Sequence, residues 1–92
     1  MDKCSKPLVL MILDVLKPHK PNVVEFGELL CGGGVDGISM AVYAVDEKTE
    51  SIKITLEGKN IDFDKVRSLI EDTGAVVHSI DKVAFGRKIA EK

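Results

Sequence analysis

Residues 8–16 read L-V-L-M-I-L-D-V-L and run straight into K-P-H-K-P. A run this short is no typical helix, and Pro18 and Pro21 close it with residues that a helix interior does not hold. The segment therefore reads as a strand that is apolar on both faces. Successive strand residues point to opposite sides, so Leu8, Leu10 and Ile12 fall on one face and Val9, Met11, Leu13 and Val15 on the other. Such a strand belongs in the middle of a sheet.

The rest of the chain supplies the sheet and its cover. Asn22 with Glu25 has the form of a capping box, and Val23, Phe26 and Leu30 recur at helical spacing until the glycines at 32–34. From Gly37, I-S-M-A-V-Y-A-V is rich in strand formers, and D-E-K-T-E makes a polar hairpin turn. Beyond it Ile52, Ile54 and Leu56 alternate with Lys53, Thr55 and Glu57. Asp62 caps a second helix with Phe63, Val66, Leu69 and Ile70 on one side and Gly74 at its stop. A fourth strand is expected from Ala75 to about Val83, before an irregular tail from Phe85. The order β-α-β-β-α-β predicts an α+β, ferredoxin-like sandwich: a four-stranded antiparallel sheet, first and third strands central, both helices on one face. The chain, 1–92, is then one domain with an ordered core over about 7–86.

Asp14 shares the even-numbered face of the first strand, which assigns that face to the side away from the helices. Leu8, Leu10 and Ile12 then lack cover, and leaving three such side chains wet forgoes roughly 5 to 8 kcal/mol of transfer free energy. A domain of 92 residues buries its surface incompletely and gains from association. These three residues are expected to form a subunit interface in a homo-oligomer.

Composition narrows the partners. Thirteen Lys and Arg against fifteen Asp and Glu leave a net charge of −2, without the basic excess that phosphate backbones or anionic lipids reward. Neither nucleic acid nor a membrane is expected as a partner. The sheet also lacks RNA-stacking aromatics, since Phe26 and Phe63 fall on helix core faces and Tyr43 and Phe85 lie off the central strands. The apolar run is far shorter than a membrane span and no cleavage site follows it, so a cytoplasmic location is expected. Cys4 and Cys31 form neither a C-x-x-C motif nor a disulfide framework and read as reduced, incidental thiols.

Gly32, Gly34 and Gly37 match the letters of G-x-G-x-x-G. In a dinucleotide site that loop follows a strand and opens a helix, whose amides meet the pyrophosphate. Here it follows a helix and precedes a strand, so the glycines read as a helix stop and a tight turn, and no cofactor is expected. Asp46, Glu47 and Glu50, with Asp62 and Asp64, lack the ordered ligand series of a calcium loop and read as solvated turn and cap charges. No C-x-x-C follows the first strand, and no metal centre is expected.

The carboxyl end of the first strand gathers the candidate ligand-binding residues Asp14, Lys17 and His19. An antiparallel fourth strand brings His78 toward Leu13–Leu16, so Asp14, His19 and His78 are expected to share one rim. Lys17 and the amides opening the first helix then offer an anion site. A carboxylate beside imidazoles also suits a divalent cation or general acid–base work.

L-D-V-L-K-P-H-K-P, V-D-G-I near Gly37, D-E-K-T-E-S-I-K-I-T-L-E-G and V-V-H-S-I-D-K-V-A-F-G-R together resemble the archaeal domain-of-unknown-function family 211, over about Leu8 to Arg87. The resemblance rests on Asp14, Lys17, Pro18, His19 and Pro21, and on His78, Ser79 and Asp81; the tripled glycine before Val35 departs from it. It implies a ferredoxin-like fold, ring-shaped homo-oligomers and no established activity, and so no catalytic residues to carry over.

Three functional classes remain. The leading one is a non-enzymatic, homo-oligomeric module that binds a small ligand, an anionic metabolite or a divalent cation, at the P-H-K-P loop. The second is a small enzyme using Asp14 with His78 or His19. The third is a structural, ring-forming protein.

Overall fold

In the computed structural model, which describes residues 6–86, the apolar run forms β1 (Leu8–Pro18). It is followed by α1 (Val23–Leu29), β2 (Val35–Val45), β3 (Thr49–Gly58), α2 (Phe63–Asp72) and β4 (Val76–Phe85). The strands lie in the order β2-β3-β1-β4 with every neighbouring pair antiparallel. This is the ferredoxin-like arrangement, with β1 and β3 central and β2 and β4 at the edges. Cys4 and the tail beyond Gly86 lie outside the described residues.

The alternation of β1 and β3 builds the core. Met11, Leu13 and Val15 stand opposite Leu56, Ile54 and Ile52, and all six are buried on the face that Phe26 and Leu30 cover from one helix and Val66 and Ile70 from the other. Each fully buried aliphatic side chain of this kind contributes about 1.5–3 kcal/mol relative to exposure. The opposite face carries Leu10, Ile12 and Asp14, half-buried, and no helix covers it. Leu8 departs from the expected interface set: the β1–β4 register shifts between Leu8 and Leu10, and Leu8 packs against the core cluster. A one-residue irregularity inverts which face a side chain occupies.

The helices end as their sequences dictate. Asn22 Oδ1 accepts from the Glu25 amide at 2.9 Å and Glu25 Oε1 accepts from the Asn22 amide at 3.3 Å, a reciprocal capping box. Asp62 accepts from the Lys65 amide at 3.2 Å, and Gly74, at φ 91°, takes the left-handed conformation just beyond α2. α1 instead closes at Leu30 with ordinary φ, and the left-handed residues come later, at Gly33 and Gly34. Their role is contact between loops. The Gly33 carbonyl accepts from the Asp62 amide at 2.8 Å, and a Cβ at Gly34 would overlap the Asn60 carbonyl. The glycine run is thus a joint that seats the α1–β2 connection on the start of α2.

Gly34→Ala is expected to lose about 1–3 kcal/mol of stability, since φ is +80° and the neighbouring backbone leaves no room. Gly37→Ala, with nothing near its Cβ position, should stay within about 0.5 kcal/mol of wild type. Urea denaturation of the two variants checks this; equal losses would refute the joint.

Candidate functional site

β1 runs two residues beyond the expected Leu16, and this extension decides the fate of Lys17. Continuing the odd-numbered series of Met11, Leu13 and Val15, Lys17 turns to the helix side and is wholly buried. Its ammonium donates to the carbonyls of Pro18 at 2.7 Å, His19 at 3.4 Å and Pro21, and pairs with Glu50 Oε1 at 3.1 Å. Glu50 is its direct cross-strand partner on β3. The ammonium is therefore saturated from within and does not reach an anion at the surface. The helix-start amide at Glu25 is taken by Asn22.

His19 serves the same corner. Nε2 donates to the carbonyls of Asp46 at 2.9 Å and Glu47 at 3.1 Å, because carbonyl oxygens only accept, and Nδ1 lies 3.3 Å from Glu50 Oε2. The imidazole pins the β2–β3 hairpin tip to the end of β1. His78 lies elsewhere, exposed on β4 beside Phe63, Arg67 and Glu71 in a shallow depression of about 380 Å³ between α2 and the sheet edge. Asp14 faces the opposite, open side of the sheet. The expected rim of Asp14, His19 and His78 does not form: register irregularities in the β1–β4 pairing displace His78, and the hairpin tip captures His19.

What does converge is a set of polar side chains from all four strands on the open face. Tyr43 of β2 donates its hydroxyl to Asp14 of β1, 2.7 Å from both carboxylate oxygens. Lys53 of β3 lies 3.8 Å from Asp14 and donates to Asp81 of β4, which also accepts from Ser79 at 2.7 Å. Across the sheet the strands present Tyr43, Lys53, Asp14 and Asp81 in turn, and the Lys53 ammonium reaches over to contact both carboxylates. The side chains of Asp14, Lys53 and Asp81 are 16%, 42% and 33% exposed, so the row stands open to a solute.

These contacts set the local electrostatics. The hydrogen bond to Asp14 holds the Tyr43 hydroxyl above its ordinary value, since ionisation would set two anions together. The hydrogen bond to Asp81 raises the Lys53 ammonium, and the same bond, with that from Ser79, lowers Asp81. At the other corner the Lys17 ammonium lowers Glu50, with His19 adding to it.

Lys17, His19 and Asp14 were legible as polar residues ending an apolar strand. Tyr43, Lys53 and Asp81 were not among the expected site residues, although the alternation of β3 already placed Lys53 on the face opposite Ile52 and Ile54. Among the described residues no group of three or more His, Cys, Asp or Glu is placed to hold a metal ion. No described helix is long and apolar enough to cross a membrane.

Comparison with known proteins agrees with the motifs. The model of the family DUF211, described as uncharacterized ArCR, matches residues 9–92. An uncharacterized protein of Methanocaldococcus jannaschii is 42% identical over 83 residues, which span 89% of this chain and 86% of that protein.

Two measurements test the buried corner. Lys17→Met, close in volume, leaves Glu50 and three carbonyls without their donor and is expected to cost about 2–4 kcal/mol in denaturant melts. Glu50, lowered when folded, contributes stability that is complete above its ordinary value of 4.5 and is lost as pH falls through the lower folded value. Glu50→Gln should therefore show a flatter decline of Tm below that value than wild type; parallel declines would remove the ion pair from the stability of the fold.

Proposed function

Because the chain belongs to the DUF211 family, described as uncharacterized, we propose that it is a homo-oligomeric module that binds a small polar metabolite and does no chemistry on it. The observation that supports this is the open-face row Tyr43–Asp14–Lys53–Asp81, to which every strand contributes one side chain. An anionic group suits Lys53 and an ammonium group suits Asp14 or Asp81, so the preferred ligand class is a small zwitterion carrying both. A bare divalent cation suits the row less, because the Lys53 ammonium already contacts both carboxylates.

The enzyme reading has less support. Asp14 is engaged by Tyr43, His19 Nε2 spends its proton on two carbonyls, and among the described residues no imidazole hydrogen-bonds to Asp14. The same reading sets the module in the cytoplasm, where the exposed thiol of Cys31 stays reduced.

A thermal-shift screen against amino acids, nucleotides, divalent ions and RNA, with mass measured by light scattering, tests the proposal. A ligand at about a hundred times its Kd adds about 2.7 kcal/mol of stability and raises Tm by several degrees. The expected result is a shift with zwitterions that Asp14→Asn and Lys53→Met both abolish while mass is unchanged. No shift with any compound would leave assembly as the function. Turnover of a ligand that Asp14→Asn removes would make it an enzyme, and a wild-type monomer at micromolar concentration would end the oligomer reading.

A further inference from the structure

The charged row has unlike flanks. Among the described residues only one exposed large hydrophobic side chain lies on a central strand: Leu16 of β1, which follows Asp14 by two residues and so shares the open face with it. Its partner on β4 is Val76, also exposed, and its partner on β3 is Ser51, whose short side chain leaves that side of Leu16 open. Two register shifts shape the strip. One, between Val42 and Ala44 in the β2–β3 pairing, falls at Tyr43 and turns its side chain onto the open face, where it reaches across β3 to Asp14. The other, between Asp14 and Val15 in the β1–β4 pairing, sets Ser79 opposite Asp14 and Val76 opposite Leu16. Leu16, Val76 and Tyr43 are 37%, 49% and 56% exposed, so one side of the row is an apolar strip open to a solute. On the other side Ile12 is half-buried and stands between Thr55 and Lys82.

The spacing of the strand turns this strip into a length. Two residues along a strand span about 7 Å, so a group held at Asp14 and Lys53 has Leu16 and Val76 at about that distance. In an α-amino acid both charges and the side chain leave from neighbouring atoms. The side chain of glycine or alanine ends short of the strip, whereas one as long as leucine's arrives on it. A polar side chain of the same length would give up its water there to face two aliphatic groups with no hydrogen bond in return. The charged end has capacity to spare: Asp14 accepts one hydroxyl from Tyr43, and a carboxylate has about four acceptor positions.

Deepening the reading above, on which it rests, we propose that the ligand of the open face is an α-amino acid with an apolar side chain about as long as leucine's. Lys53 takes the carboxylate, Asp14 takes the ammonium, and the side chain lies on Leu16 and Val76 along the Tyr43 ring. The row selects the zwitterion, and the strip selects among zwitterions.

The test measures binding of leucine, asparagine and glycine by titration calorimetry. Asparagine has nearly the shape of leucine without its apolar character, and glycine has the charges alone. Wild-type protein should bind leucine about tenfold more tightly than asparagine, the factor that covering part of one aliphatic side chain supplies. In Leu16→Thr/Val76→Thr, made of strand-forming residues at two exposed positions, leucine should fall to the level of asparagine while glycine binds as in wild type. Lys53→Met should abolish binding of all three. Equal affinity of wild type for leucine and asparagine, or a preference for leucine that survives in the double variant, would overturn the apolar strip and leave the zwitterion site standing. The wild-type comparison decides by itself if the double variant does not fold. Absence of binding by any of the three to wild type refutes this inference together with the reading on which it rests.

Discussion

One ammonium group without solvent contact organises the end of the sheet from which α1 departs. Lys17 is drawn inward because it continues the strand face of Met11, Leu13 and Val15, and burial of its charge is tolerated because three carbonyls and Glu50 surround it. Those carbonyls belong to the last residue of β1 and the turn that leads to α1, and Glu50 lies near the start of the return strand of the hairpin. The ammonium therefore fixes three chain segments at one point. His19 extends the same joint to the hairpin tip. Removing one member of such a set leaves buried polar groups unpaired, which costs more than the set gains as a whole.

With that corner closed, the chemically open part of the molecule is the sheet face away from the helices. There each strand contributes one side chain to a row in which one ammonium contacts two carboxylates. The two features divide the polar residues of the chain into those that hold the fold and those that a solute reaches. Lys17, His19 and Glu50 belong to the first group. Asp14, Tyr43, Lys53 and Asp81 form the second.

The elements were legible because each carries a local signal. The two-faced apolar run with its prolines gave β1, the Asn22 and Asp62 caps gave the starts of both helices, and the alternation of Ile52, Ile54 and Leu56 gave β3. The site was less legible. Lys17 was expected to meet an anion because nothing local says that β1 continues through Pro18 and turns it inward, and Leu8 was assigned to the open face because a register shift leaves no mark in the sequence. The rim of Asp14, His19 and His78 failed for a related reason: an antiparallel pairing brings residues near each other, but bulges decide which face they occupy.

The sequence by itself thus determined the order of elements, the core face and the capped helix ends, all of which follow from periodicities of 2 and 3.6 residues and from short-range hydrogen bonds. It also excluded the dinucleotide reading of C-G-G-G-V-D-G, since the order of helix and strand around that loop is local information. Only the tertiary structure decided that Gly34 is needed for its contact with Asn60, that Lys17 and Glu50 are partners, and that Tyr43, Asp14, Lys53 and Asp81 form one row. These depend on register between strands far apart in the chain, and register is set by the packing of the whole sheet against its helices.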